Sequence, residues 1–142
     1  MKNLLRYAAV FTTLYLLIPP LSYSQQGYIR DIGKQEFEDR CASCHGKDGK
    51  GGGWLTYFIT IQPPDLTLLA KKNGGILPAD RLYQSIAGDS VAIHGPSDMP
   101  AWGKTYKSEA PNIYLGVPYN AEMYSRGKIL LLIEYINRLQ VK

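Results

Sequence analysis

The sequence predicts a small, largely helical domain. Three stretches, 29–45, 78–87 and 126–139, space their apolar side chains at helical intervals. Glycine- and proline-rich segments separate them. The length, 142 residues, allows one domain once an N-terminal address is set aside.

Residues 1–24 read as that address. Lys2 and Arg6 form a short positive region, residues 7–18 an apolar stretch, and Ser22-Tyr23-Ser24 offers small residues where a signal peptidase reads. The stretch is shorter than the roughly 20 residues that span a bilayer, and Pro19-Pro20 ends it. An uncleaved amphipathic anchor is the rival reading. No cysteine stands near the cut, which argues against a lipid anchor. Export to the periplasm is expected, with a mature domain over residues 25–142. The chain carries 16 basic and 12 acidic side chains, and loss of Lys2 and Arg6 leaves a net charge of +2. No nucleic-acid footprint is present in so mild a balance.

Within 29–45, Ile29, Ile32, Phe37, Cys41 and Cys44 recur on one helical face. Gly33 interrupts the pattern at about 1 kcal/mol relative to Ala. Either another backbone approaches closely there or the glycine merely marks the helix start. The stretch ends in Cys41-Ala42-Ser43-Cys44-His45, which holds both cysteines and one of the two histidines. Positions three and four apart share a helix face, so the two thiols and the imidazole converge. That is what a covalently attached c-type haem needs: two thioethers at its vinyl groups and an axial nitrogen for its iron. The C-x-x-C-H pentapeptide is a haem-attachment signal. A thioredoxin-like pair wants a βαβ context, and a zinc site wants four ligands where only His94 remains as an obvious extra. A disulfide leaves His45 unexplained. A buried haem would also enlarge the core of so small a chain, so the protein without it is expected to fold poorly.

Residues 46–53, GKDGKGGG, suit neither helix nor strand and read as a loop round the haem edge. Residues 54–61 are apolar and aromatic, fitting a short strand or packing against haem. Pro63-Pro64 imposes an extended turn, and a short helix is expected to begin within 66–72. In 78–87, Pro78 opens the helix, Asp80 sits in its first turn, Leu82, Tyr83 and Ile86 form its apolar face and Gly88 closes it. A rigid loop over 94–103 presents Met99, and residues 104–123 read as a long irregular connection. The last helix, 126–139, carries Ile129, Leu130, Leu132, Ile133, Ile136 and Leu139. Met123 falls just before it.

The CxxCH near the mature N-terminus, the later Met99-Pro100-Ala101-Trp102-Gly103 and the closing amphipathic helix together resemble class I cytochrome c. The resemblance covers nearly the whole mature chain. It implies an all-α fold, three main helices wrapped round one covalently bound haem, with His45 and Met99 as axial iron ligands. It also implies a crossing of the first and last helices, at which Gly33, Phe37 and Tyr135 match by position. A proline carbonyl, from Pro63 or Pro64, would hold the other ring nitrogen of His45. His94 is the competing axial ligand, and a Met/His pair would raise the reduction potential. Trp102 fits packing against haem or plain core filling. Lys104 and Lys107 are candidate docking charges, and the tyrosines of the long connection fit a contact surface or a cap over the haem.

An iron held on both faces exchanges electrons without binding substrate, and no catalytic acid, base or nucleophile set is evident. The expected role is one-electron transfer by an exported carrier that is not itself an enzyme, working with redox partner proteins. The alternatives are a haem subunit of a larger oxidoreductase, peripherally membrane-associated through its partners, and a haem enzyme or gas sensor with a labile Met99.

Overall fold

The computed structural model describes residues 32–88 and 99–141. The expected signal segment 1–24, the start of the first helix at 29–31 and the loop residues 94–98, His94 among them, lie outside the described residues.

Helix α1 spans Ile32–Arg40 and α2 spans Ala42–His45. The expected 29–45 helix is thus two segments meeting at Cys41, where φ of −109° opens the turn. Helical bonding still runs through the joint: Cys41 N–H donates to Phe37 O at 2.8 Å and His45 N–H to Cys41 O at 2.9 Å. The glycine segment that follows folds back on α2. Gly51 N–H donates to His45 O at 2.7 Å and Gly53 N–H to Cys44 O at 3.0 Å, taking carbonyls that a helix end leaves unpaired.

Residues Trp54–Tyr57 form a 3₁₀ turn rather than a strand, with Thr56 Oγ1 donating to Gly53 O at 2.7 Å. A second 3₁₀ turn, Leu66–Leu68, leads into α3, Leu69–Lys72, where a short helix was expected. Asp65 caps it, accepting from Thr67 N–H at 2.8 Å and Thr67 Oγ1 at 2.6 Å. Helix α4, Ala79–Ala87, lies between Pro78 and a left-handed Gly88 at φ +88°, as the sequence pattern requires.

The expected extended loop over 104–123 is not found. Helix α5 occupies Trp102–Glu109, and β1, Ile113–Tyr114, pairs antiparallel with β2, Val117–Pro118. Two causes account for the difference. Trp102 and Tyr106 fall one turn apart on a helix, and Tyr106 is wholly buried, so packing overrides the glycine and polar residues between them. Leu115 and Gly116 both adopt positive φ, +50° and +80°, which is the twist a two-residue hairpin needs. Leucine is a rare residue for that role, so the turn carried no sequence signal. Helix α6, Ala121–Arg138, begins five residues before the expected start. Asn120 Oδ1 caps it by accepting from Glu122 N–H at 2.9 Å and Met123 N–H at 3.2 Å, so Met123 sits exposed in the first turn.

The core gathers where α6 packs on α1, α4 and α5. Phe37, Tyr106, Ile129 and Leu132 are fully buried, surrounded by Ile133, Tyr135, Ile136, Leu66 and Ile86. At the α1–α6 crossing a Cβ on Gly33 would stand 2.4 Å from Leu131 O and 3.2 Å from Tyr135 Cβ. The Phe37 and Tyr135 rings meet there at 5.1 Å. Close approach, rather than a helix start, is therefore the reason for the glycine. Among the described residues no helix is long and apolar enough to cross a membrane.

Candidate functional site

Cys41, Cys44 and His45 come together at the joint of α1 and α2. Cys44 N–H and His45 N–H both donate to Cys41 O, at 3.1 and 2.9 Å, which places the three side chains within one helical turn. Cys41 and His45 are buried and Cys44 is half-buried. Both thiols are free. Burial, reinforced by the Glu36 charge, pushes the Cys41 thiol up to about 12. It is therefore a neutral thiol at neutral pH. Among the described residues no three His, Cys, Asp or Glu side chains cluster as they would around a bare metal ion.

Burial lowers the proton affinity of the His45 ring, and the Pro64 backbone carbonyl opposes that shift. Of the two prolines, Pro64 is thus the one beside the ring. Pro63 faces the glycine loop instead: a Cβ on Gly51 would meet Pro63 O at 2.5 Å, and Gly51 has φ of +89°. His45 Nδ1 is buried with no hydrogen bond of regular geometry, so the Pro64 carbonyl is a near neighbour rather than a formed bond. Gly53 completes the enclosure. A Cβ there would come within 2.2 Å of Ser43 O, so only glycine lets the loop close over α2.

Met99 lies just ahead of α5, half-buried and packed against the hydrophobic cluster to which Cys41 and Phe37 belong. Trp102 is half-buried under the Arg40 guanidinium, which stands 5.4 Å from its ring centroid and 5.5 Å from that of Tyr106. Lys107 pairs with Glu122 at 2.6 Å. The tyrosines of the former connection divide. Tyr106 is core, while Tyr114, Tyr119 and Tyr124 stack edge to face in sequence.

One charged cluster behind Cys41 was missed in the sequence. Arg40 Nε donates to Glu36 Oε1 at 2.7 Å, and Lys128 Nζ donates to Glu36 Oε2. Arg40 Nη2 reaches both oxygens of Glu109 at 2.9 Å. Burial alone would raise the Glu36 carboxyl, but the Lys128 and Arg40 charges hold it below its ordinary value. Desolvation and the Glu36 charge push the Tyr106 hydroxyl strongly upward, and that oxygen makes no hydrogen bond of regular geometry. Only the Glu36–Arg40 spacing of four residues was readable beforehand. Its partners lie 69 and 92 positions away in the chain.

Two free thiols and a buried imidazole within one turn, the ring backed by a carbonyl, form the donor set that a covalently bound haem requires. Were the ring to hold an iron through its other nitrogen, the orphaned Nδ1 beside the Pro64 carbonyl would be the one left to the protein. These residues fit the group, and they define a c-type cytochrome domain. The family model described as cytochrome c oxidase, cbb3-type, subunit III matches residues 30–111, more than half of the chain. The chain belongs to this family, a class I c-type cytochrome family. Its cofactor is accordingly covalently bound c-type haem with its iron, and its chemistry is haem-based electron transfer. No curated protein and no solved structure matches the chain.

Proposed function

We propose that Cys41 and Cys44 hold one haem through thioethers, that His45 and Met99 are its axial ligands, and that the domain is an exported one-electron carrier. The observation that carries this reading is the convergence of both thiols and the buried His45 ring at the α1–α2 joint, with Pro64 O beside the ring. The Cys41 and Cys44 thiols would hold the haem as thioethers, and His45 would offer its ring to the iron. When bound, the haem supplies an iron that cycles between Fe(III) and Fe(II). The protein's part is to orient His45, to bury the Cys41 side and, through the loop 46–53 and helices α1, α5 and α6, to wrap the haem. Met99 and His45 would fill both axial positions, leaving none for substrate.

The reading extends to the whole chain: residues 1–24 as signal peptide, residues 25–142 as the mature domain, and the periplasm as its location. The family description favours a second reading, a haem subunit passing electrons within an oxidoreductase assembly. Met99→Ala tests the ligand set. The iron-to-thioether charge-transfer band of the oxidised protein should disappear, and its survival would rule out Met99. Size-exclusion chromatography of soluble and detergent-solubilised extracts, with the chain identified by mass, separates the two roles. Elution near the mass of one mature chain means a carrier, whereas co-elution with a large species means a subunit.

A further inference from the structure

We propose that Gln140, beyond the end of α6, is a positioning residue for His45, acting through the segment that carries the Pro64 carbonyl. The proposal rests on the reading of His45 as an axial ligand. Gln140 spends its whole amide on backbone. Its Oε1 accepts from Ala70 N–H at 2.8 Å, and its Nε2 donates to Leu66 O and to Ile136 O, each at 2.8 Å. A glutamine that merely finished its own helix would need only Ile136. The other two bonds reach back 70 and 74 positions to the chain just after Pro64. Val141 N–H adds a third tie, to Thr67 O at 3.0 Å.

The same segment is gripped from its other side. Leu66 N–H donates to Gly49 O at 2.8 Å, and Pro63 O lies against Gly51. Between these grips the chain is stiff. Pro63 and Pro64 have fixed φ, and Asp65 is bound twice to Thr67. A displacement at Leu66 therefore reaches the Pro64 carbonyl rather than being absorbed on the way. That carbonyl lies beside the His45 ring, whose Nδ1 is buried without another hydrogen-bond partner among the described residues. An acceptor at the outer nitrogen of a metal-bound histidine fixes the tautomer and raises the basicity of the ligating nitrogen. A more basic ligand favours ferric iron, so loosening the latch should favour ferrous iron. Gln140 and Val141 both lie outside the residues that the family model matches.

The test uses the haem-loaded protein with Gln140→Met, which fills similar space without hydrogen bonds, and Gln140→Ala. Both variants should shift the Fe(III)/Fe(II) equilibrium about three- to tenfold toward ferrous. At 59 mV per tenfold for one electron this is about 30–60 mV upward. The His45 Nδ1 proton, followed by NMR in the ferrous state, should exchange faster in both. If Gln140→Ala fails to assemble, Gln140→Met decides alone. An unmoved potential and an unmoved Nδ1 proton, with only a lower denaturation midpoint, would make Gln140 a purely structural tie and overturn the proposal. Absence of a histidine-ligated spectrum in the unmodified protein would instead overturn the ligand reading beneath it.

Discussion

Replacing Gly33 by alanine sets two effects of opposite sign against each other. Helix propensity favours alanine in α1 by about 1 kcal/mol, so a residue on an open helix face would gain stability. Gly33 is not on an open face: the added Cβ would lie 2.4 Å from the Leu131 carbonyl oxygen, while ordinary contact begins at 3.4 Å. The helices would have to part by about 1 Å, and the obstacle is backbone rather than a side chain that can swing aside. Parting them loosens the Phe37–Tyr135 ring contact at 5.1 Å and opens the bed of Ile129 and Leu132. Overpacking of this kind costs about 1–3 kcal/mol, so the net loss should be up to about 2 kcal/mol. In guanidinium, with a slope of roughly 4 kcal/mol/M, that is about 0.5 M in the unfolding midpoint of the haem-loaded protein. A Gly33→Ala protein more stable than its parent, as helix propensity alone would make it, would refute the close crossing as the reason for the glycine.

Other expectations are as direct. Gly53→Ala drives a Cβ to within 2.2 Å of Ser43 O and should cost about 1–3 kcal/mol; the fraction of chain recovered with covalent haem, measured by mass, should fall. Leu115→Asn places a residue tolerant of positive φ at +50° and should add about 0.5–1 kcal/mol, read as a higher unfolding midpoint. Glu36 is held below its ordinary 4.5 by Lys128 and Arg40 against the cost of burial. Because the folded carboxylate binds its proton more weakly than the unfolded one, its stabilisation is complete above about pH 4.5 and is lost as pH falls through the lower folded value. Glu36→Gln should therefore flatten the acid limb of the stability profile; an unchanged limb would assign acid sensitivity to other carboxylates.

What was legible in the sequence was local. Cys41, Cys44 and His45 announce themselves by spacing alone, and α4 is bracketed by Pro78 and Gly88, whose backbone restrictions act within a turn. The Gly33 crossing was legible through the resemblance, because a costly glycine beside Phe37 needed a partner and Tyr135 stood at the matching place. What escaped notice depends on distant chain. Helix α5 looks like loop until Tyr106 is known to be wholly buried, with Glu36 and Arg40 of α1 beside it. The Glu36 cluster draws Glu109 and Lys128 from two other helices, and Gln140 reads as a polar residue near the chain end. The hairpin was hidden for a different reason: its turn uses Leu115 where Asn or Gly would have given the pattern away.

Helix α6 has the widest reach in the described structure. It meets α1 through Leu131 at Gly33, α5 through Ser125 Oγ donating to Gly103 O at 3.2 Å, and the Glu36 cluster through Lys128. The chain just beyond it meets residues 66–70 through Gln140. The Cys41–His45 segment lies inside the family-matched region 30–111, yet α6 lies wholly outside it. A fragment ending at residue 111 keeps Cys41, Cys44, His45 and Met99 but loses Ile129, Leu132, Ile133, Tyr135 and Ile136, five of the buried core residues. At about 1.5–3 kcal/mol for each large apolar side chain buried, the loss is about 8–15 kcal/mol. That equals the roughly 5–15 kcal/mol by which whole domains are stable. The fragment should show no cooperative unfolding by circular dichroism and should not retain a low-spin haem spectrum. A fragment that unfolded cooperatively with haem in place would mean that α1, α4 and α5 form a sufficient core around the cofactor, and that α6 is an addition to the fold rather than its floor.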